Sequence, residues 1–201
     1  MTDMTGKRID WLKNGLVASV CSLAVAFAVS PSAYAKAADD DAKQVVSEAV
    51  DRTLAALDDA EISTTEADTI LELVDVDRVA QFALGNHWDN LSESQKPEYI
   101  AAFRTFANNQ LQDHLSGFSQ AEVAIEDVQA RGSDDAIVQT IVTTDDDRQT
   151  VSWRLYGSGD WKIVDIEVQN VWFAIEQRAQ FDAILDENGG DLDALIAEIA
   201  S

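Results

Sequence analysis

The sequence predicts an α+β protein in which helices pack on one face of a curved four-stranded antiparallel sheet. Apolar residues recur at three- and four-residue spacing before residue 117 and again after residue 171, as in helices, but alternate between residues 121 and 169, as in strands. The turns between the alternating stretches are short, which favours an antiparallel meander. With no internal repeat or linker, one domain is expected over residues 36–201.

The N-terminal segment has the three parts of a secretory signal. Lys7 and Arg8 give a positive flank, residues 15–29 are largely apolar, and Ala33-Tyr34-Ala35 fits the small-x-small cleavage rule. We expect residues 1–35 to be removed, because the apolar run is shorter than the ~20 residues that an uncleaved spanning helix needs. Cys21 lies within this run without a good lipobox, so we interpret it as ordinary signal apolarity.

Composition excludes several classes of function. The chain has a net charge of −23, and its only cysteine is Cys21, so the expected mature domain has no disulfide. Phosphate contacts need Lys and Arg, so the acidity disfavours nucleic acid and anionic membrane surfaces as partners. The sequence contains nothing that indicates more than a monomer.

The helical elements before the strands can be placed in order. A polar, mobile start is expected at residues 36–44, followed by a helix with the apolar stripe Val46, Ala49, Val50, Thr53, Leu54 and Leu57. A short helix within residues 62–74 would be capped near Ser63–Glu66, and the next would be capped by Asp75 or Asp77 and end at Gly85. Ser92 and Gln95 fit a capping box for a long helix that ends at Gly117.

Four strands and two helices complete the predicted order. The strands are expected at residues 121–130, 136–143, 149–156 and 161–169, with helices at 171–188 and after the cap Asp191. Alternation directs one set of side chains towards the helices: Val138, Thr140, Val142, Val151, Trp153, Leu155, Val164, Ile166 and Val168. Periodicity does not distinguish a solid core from a pocket, but helices over a curved sheet tend to leave a concave apolar space.

Two stretches of the chain resemble the MlaC family, also known as toluene-tolerance proteins. The first is Val76-Asp77-Arg78-Val79-Ala80 with Leu84-Gly85, Trp88, Leu91–Gln95, Phe103 and Phe106. The second is residues 151–155, Gly159–Ile166, Val171, Arg178, Gln180 and Phe181. The likeness extends over about residues 45–199. Asn170, Trp172 and Gln177 depart from the family pattern, in which glycine, a small residue and tyrosine are common.

The resemblance implies a periplasmic carrier that holds phospholipid acyl chains in a deep apolar pocket. It also implies docking to an inner-membrane ABC lipid transporter complex and to an outer-membrane lipoprotein complex. The departures near Asn170 leave the lipid open, and because some relatives are linked to hopanoid transport, a rigid polycyclic ligand is the alternative. No cofactor, metal or catalytic residue is expected.

Candidate lipid-binding residues follow from the apolar stripes and the family likeness. They are Phe82, Phe103, Phe106, Leu111, Val138, Val142, Trp153, Leu155, Val164, Ile166, Val168, Trp172 and Ile175. For each of them, core packing is an equally valid interpretation. We expect Arg178 to form an ion pair with an acidic neighbour, with head-group or partner contact as the alternative.

Two rival classes of function are weaker. An enzyme would need a carboxylate such as Asp165 in an apolar pocket, but alternation directs Asp165 away from it, and no partner base is evident. His87 and His114 lack ligand companions at metal spacing. A non-lipid interaction module, tethered by an uncleaved signal, would instead be membrane-bound and contain no lipid.

Overall fold

The computed structural model describes residues 31–57, 61–115, 118, 120–145, 147–157 and 159–201, so residues 1–30 of the expected export signal lie outside it. The helices found there are α1 (Pro31–Ala56), α2 (Thr64–Leu71), α3 (Val76–Leu84), α4 (Gln95–Leu115), α5 (Phe173–Glu187) and α6 (Leu192–Ile199). The strands are β1 (Glu122–Ala130), β2 (Asp135–Thr143), β3 (Arg148–Tyr156), β4 (Lys162–Val168) and β5 (Val171–Trp172). None of the described helices has the length and apolarity to cross a membrane.

The strands form one antiparallel sheet in the order β1-β2-β3-β4-β5. The α+β class and the four expected strands are confirmed, and the two-residue β5 is an addition. Gln169 and Asn170 have φ angles of 52° and 65°, and they form a tight turn that folds β5 back onto β4. Asparagine tolerates this left-handed conformation better than most residues. The helix expected from residue 171 therefore begins at Phe173.

Side-chain caps fix the helix starts where the sequence indicates them. Ser63 and Glu66 form a reciprocal capping box on α2, and Asp75 accepts a hydrogen bond from the backbone N–H of Arg78 on α3. Ser92 and Gln95 form the same reciprocal pair before α4. The α4 helix is described to Leu115, and the stop expected at residue 117 lies outside the described residues.

The expectation of a mobile start at residues 36–44 is wrong. These residues belong to α1, and the side chain of Ala42 is completely buried against the sheet. The Asp39 carboxylate accepts a hydrogen bond of 3.0 Å from the backbone N–H of Ala130, at the end of β1. The acidic residues that suggested a tail therefore lie on a packed helix, because tertiary contacts outweigh local polarity.

The alternation expected along β4 is also wrong at one point. Trp153 pairs with Ile166, but Leu155 pairs with Ile163, so the register shifts and Val164 is an extra residue in a β-bulge. A bulge reverses the simple alternation of faces. As a result Ile163 joins the buried cluster on the helix side of the sheet, although simple alternation from Val164 directs it outward.

The apolar core is divided into separate clusters. One cluster joins α3, α4, α5 and α6 around Tyr99, Phe103 and Phe181. A second lies beneath α1 on the sheet and includes Val138 and Leu155, both completely buried. A smaller third cluster joins the end of α1 to α2. Space remains between these clusters.

Candidate functional site

A cavity of about 620 Å³ lies between the helices and the inner face of the sheet. Its walls come from α1 to α5 and β1 to β5. They include Ala49, Val50, Leu54, Leu57, Ile70, Val79, Ala107, Leu111, Leu115, Val123, Val151 and Phe173. This size falls within the range of small-molecule pockets, which is about 300–1,000 Å³. Because the walls are predominantly apolar, the cavity is suited to hydrocarbon rather than to a charged or sugar-like ligand.

Two hydrogen-bonded pairs of polar side chains line the cavity. His114 and Gln110 on α4 lie 2.9 Å apart, and Gln180 on α5 donates a hydrogen bond of 3.4 Å to Glu176. All of these residues line the cavity, and His114, Glu176 and Gln180 are exposed. We call this group of four residues the polar mouth. The exposed part of the lining therefore offers hydrogen-bonding groups alongside the apolar side chains of Val168, Val171 and Phe173.

The cavity brings together seven of the thirteen residues proposed from the sequence. Phe103 and Leu111 line it from α4, and the others line it from the sheet: Val142, Trp153, Val164, Ile166 and Val168. Trp153 is oriented by its indole N–H, which donates to the hydroxyl of the buried Thr140 at 3.0 Å. These positions were found because inward alternation and the α4 stripe converge on the same space.

Three other candidates pack in or against the core clusters instead of lining the cavity. Val138 and Leu155 belong to the cluster beneath α1, where helix and sheet are in direct contact. Phe106 packs against the rings of Phe103 and Phe181, with centroid separations of 5.9 and 5.6 Å. Their side chains point inward as expected, but they fill the interior beside the cavity rather than forming its wall.

The remaining three candidates lie on or near the surface. Phe82 is 43% exposed, with the Arg178 guanidinium 4.0 Å from its ring centroid. Trp172 pairs with Glu167, which places it on the outer face of the sheet. Ile175 is 55% exposed and lies beside the face of α5 that lines the cavity. The unexpected β5 explains the shift of Trp172, since it adds a strand where a helix was expected.

The sequence-based candidates omitted the contribution of α1. Val50, Thr53, Leu54 and Leu57 line the cavity and belong to the helical stripe that the sequence identified. The periodic signal was therefore present. The periodicity did not indicate that the second half of this stripe faces the cavity, whereas Val46 in the first half lies in a packed core.

Asp165 lines the cavity, contrary to the expectation that it faces away. It follows the bulge residue Val164, and its Oδ1 accepts hydrogen bonds from the backbone N–H groups of Ala174, at 3.0 Å, and Ile166, at 2.9 Å. Burial raises the pKa of the Asp165 carboxyl above its ordinary value, although these two hydrogen bonds act in the opposite direction. The carboxylate therefore anchors the first turn of α5 to β4 at the cavity wall.

Gln177 is the second polar residue that sequence reasoning missed in the wall. Its side chain is 3% exposed, and its Oε1 has no hydrogen-bond partner among the described residues. An unpaired buried polar group costs about 1–3 kcal/mol, so such groups usually have a partner in a ligand or an ordered water. The signal in the sequence was a glutamine inside an apolar helical face.

Among the described residues, no acidic side chain forms the ion pair that was expected for Arg178. Its Nε donates a hydrogen bond of 2.9 Å to the carbonyl oxygen of Phe82, and its Nη2 donates to the same oxygen. The side chain closes over Gly85, where an added Cβ would lie 2.9 Å from Nε. Arg178 therefore joins α5 to the end of α3. His87, by contrast, lies 3.3 Å from Asp182, and the described residues contain no group of three or more potential metal ligands.

Both a protein family and a solved structure match this chain. The family model described as MlaC protein matches residues 38–201. The chain belongs to the MlaC family. No curated protein matches. Among solved structures, a phospholipid-binding protein from Ralstonia solanacearum, solved in complex with a phospholipid, is similar with a TM-score of 0.65 and 21% sequence identity. The match covers 80% of this chain and 99% of that one, and it identifies a shared fold.

Proposed function

We propose that the mature protein is a lipid carrier that encloses phospholipid acyl chains in the cavity between its helices and sheet. The observation that supports this most strongly is the apolar cavity of about 620 Å³ with its polar mouth. Each methylene group removed from water contributes about 0.8 kcal/mol, so an enclosed chain is strongly favoured over a solvated one. Membership in the MlaC family and the phospholipid bound to the Ralstonia solanacearum protein support the same assignment.

The acyl chains contact the apolar wall, and the head group stays at the polar mouth. Within the wall, the seven sequence candidates that line the cavity are the proposed chain contacts, together with Val50 and Leu54 of α1. This role needs enclosure and release of the ligand, not bond making. The protein is therefore a binding and carrier protein rather than an enzyme, and Asp165 serves the structure of the wall.

The carrier acts in the periplasm. Residues 1–35 direct export and are cleaved, leaving residues 36–201 as the lipid-binding domain, and the family match begins at residue 38. There the protein receives and delivers lipid at an inner-membrane ABC transporter complex and at an outer-membrane lipoprotein complex. The strong acidity of the chain, which has a net charge of −23 over its full length, favours docking on basic protein surfaces over direct adsorption to anionic membranes.

Mass spectrometry of organic extracts tests the carrier function directly. The mature protein, purified without detergent, is expected to contain phospholipid in stoichiometric amount. A hopanoid in its place would keep the carrier function and change the cargo. A protein that is empty, and stays empty after incubation with phospholipid vesicles and the partner complexes, would contradict it.

A matched pair of variants links the lipid to the cavity. Ala107 lines the cavity from α4, whereas Ala101 lies on the exposed side of the same helix. We expect Ala107→Trp to fill the cavity and remove most of the bound lipid, and Ala101→Trp to retain it. Circular dichroism confirms that both variants are folded. Equal lipid content in the two variants would show that the lipid binds elsewhere.

A further inference from the structure

One face of α5 presents an unusual series of polar residues to the apolar cavity. Phe173, Glu176, Gln177 and Gln180 all line it, and their spacing of three, four and seven positions places them on one helical stripe. Glu176 and Gln180 are exposed and hydrogen-bonded to each other at the mouth. Gln177 lies on the same stripe but is buried. The stripe therefore extends hydrogen-bonding capacity from the mouth into the interior.

Gln177 has no internal reason to be polar. Its Oε1 has no hydrogen-bond partner in the described part of the chain. The nearby polar wall residue Asp165 already accepts two backbone N–H groups with its Oδ1. A carboxamide can turn about its last bond and direct either its N–H or its carbonyl oxygen at a given point. Gln177 can therefore provide either a donor or an acceptor to a molecule in the cavity.

We propose that Gln177 is a specificity-determining residue that donates a hydrogen bond to an ester carbonyl of a bound glycerolipid. This role of Gln177 rests on the proposed carrier function and assigns ester-linked glycerolipids as the ligands of the cavity. If the head group stays at the polar mouth and the acyl chains enter the apolar interior, the ester linkages between them lie at the boundary, where Gln177 is buried beside Glu176 and Gln180. The cavity then selects ester-linked lipids over hydrocarbons of equal apolar surface.

The selectivity follows from the cost of leaving the carboxamide unpaired. When the carboxamide of Gln177 turns so that its N–H takes the position of the unpaired Oε1, it can donate to the carbonyl of an ester-linked chain. An ether-linked chain or a polycyclic hydrocarbon instead covers the carboxamide with apolar surface and removes any water that bonded to it. Sites with a buried polar group discriminate strongly against ligands that lack its partner. A residue that served only to fill space would not distinguish between the two linkages.

The test is a competition between two phosphatidylcholines with the same head group and chain length, one with diester and one with diether linkages. Delipidated protein is incubated with an equal detergent-solubilised mixture, the detergent is removed, and the bound lipids are quantified by mass spectrometry. The wild type is expected to retain the diester form in about fivefold excess or more. Gln177→Leu should bring the ratio close to one, and Gln81→Leu, at an exposed position of α3 outside the cavity lining, should leave it unchanged.

The possible outcomes distinguish a failure of the proposed role of Gln177 from a failure of the proposed carrier function. Equal retention of both lipids by the wild type would overturn the role of Gln177 while leaving the carrier function intact, and this comparison requires no variant to fold. A diester preference that persists in Gln177→Leu, or in Gln177→Met if the leucine variant is unstable, would also overturn it. Retention of neither lipid would contradict the carrier function itself.

Discussion

At the scale of single residues, Asp165 shows how the wall of the cavity is held together. Its carboxylate follows the β4 bulge and accepts the backbone N–H of Ala174 in the first turn of α5. An acceptor in this position satisfies one of the free N–H groups at a helix start. Burial raises its pKa, so the ionised form is less favourable in the folded protein than in the unfolded chain.

Replacing Asp165 with asparagine keeps a carbonyl acceptor for Ala174 and removes the buried charge. Because the folded-state pKa lies above the ordinary value of 3.8, the stability that Asp165 contributes is complete below that value and is lost as pH rises through the raised pKa. We therefore expect Asp165→Asn to gain stability relative to the wild type as pH rises through this interval. Thermal unfolding of both proteins from about pH 3 to pH 7 measures the difference.

Subtracting the two unfolding curves removes the contribution of the other carboxylates, which both proteins share. A difference that is constant with pH would mean that the carboxyl titrates alike in the folded and unfolded states. A difference that changes in the wild type's favour with rising pH would mean that its two hydrogen bonds outweigh its burial.

Predictions from the sequence were least accurate for residues next to a β-bulge or a tight turn, because these irregularities change the direction in which the following side chains point. The inward positions of β2 and β3, such as Val142 and Trp153, followed from alternation alone. Asp165 and Trp172 were assigned to the wrong surroundings, because a bulge at Val164 and a two-residue turn at Gln169 and Asn170 interrupt the simple period. Neither irregularity has a distinct signature in one sequence, since each depends on pairing with a distant strand.

At the scale of elements, α1 contributes both to the packed core and to the cavity wall. Its N-terminal half packs on the sheet through Ala42 and Val46, and its C-terminal half lines the cavity through Val50 and Leu54. Caps and turns made most other elements predictable, because Ser63, Ser92 and the polar turns between strands act locally. The start of α1 was missed because its stability comes from the sheet rather than from its own residues.

A substitution in the first half of α1 distinguishes a packed helix from a mobile tail. Ala42 is completely buried, whereas Ala55 on the same helix is exposed. We expect Ala42→Glu to lower the free energy of unfolding by about 3 kcal/mol or more, because it buries an unpaired charge. Ala55→Glu should change it by less than about 0.5 kcal/mol. Urea unfolding measures both values, and similar small effects would indicate that residues 36–44 do not pack on the sheet.

At the scale of the whole molecule, the cavity exists because two solid cores hold the helices and the sheet apart. The helical cluster around Phe103 and Phe181 lies on one side, and the cluster beneath α1 around Leu155 lies on the other. Both the core and the cavity wall have apolar residues at the same spacing, so periodicity predicted the layers but not the space between them. That space depends on how the layers close, which a hydrophobic pattern does not encode.

An open apolar space makes the stability of the molecule depend on its cargo. A ligand that binds only the folded state stabilises it by an amount that grows with the logarithm of its concentration over its Kd, about 2.7 kcal/mol at a hundredfold excess. For a domain of this size, that corresponds to a rise in melting temperature of roughly 5–10 °C. We expect delipidation to lower the melting temperature by this amount and reloading with phospholipid to restore it.

The Ala107→Trp variant supplies the control for this experiment. With the cavity filled from α4, its melting temperature should be unaffected by delipidation or by added lipid, whereas Ala101→Trp should behave like the wild type. Calorimetric scans at a fixed lipid concentration provide the comparison. If the wild type and Ala107→Trp respond equally to lipid, the stabilisation comes from adsorption to the outer surface. If only the proteins with an open cavity show a higher melting temperature with lipid, the stabilisation comes from lipid bound inside the cavity.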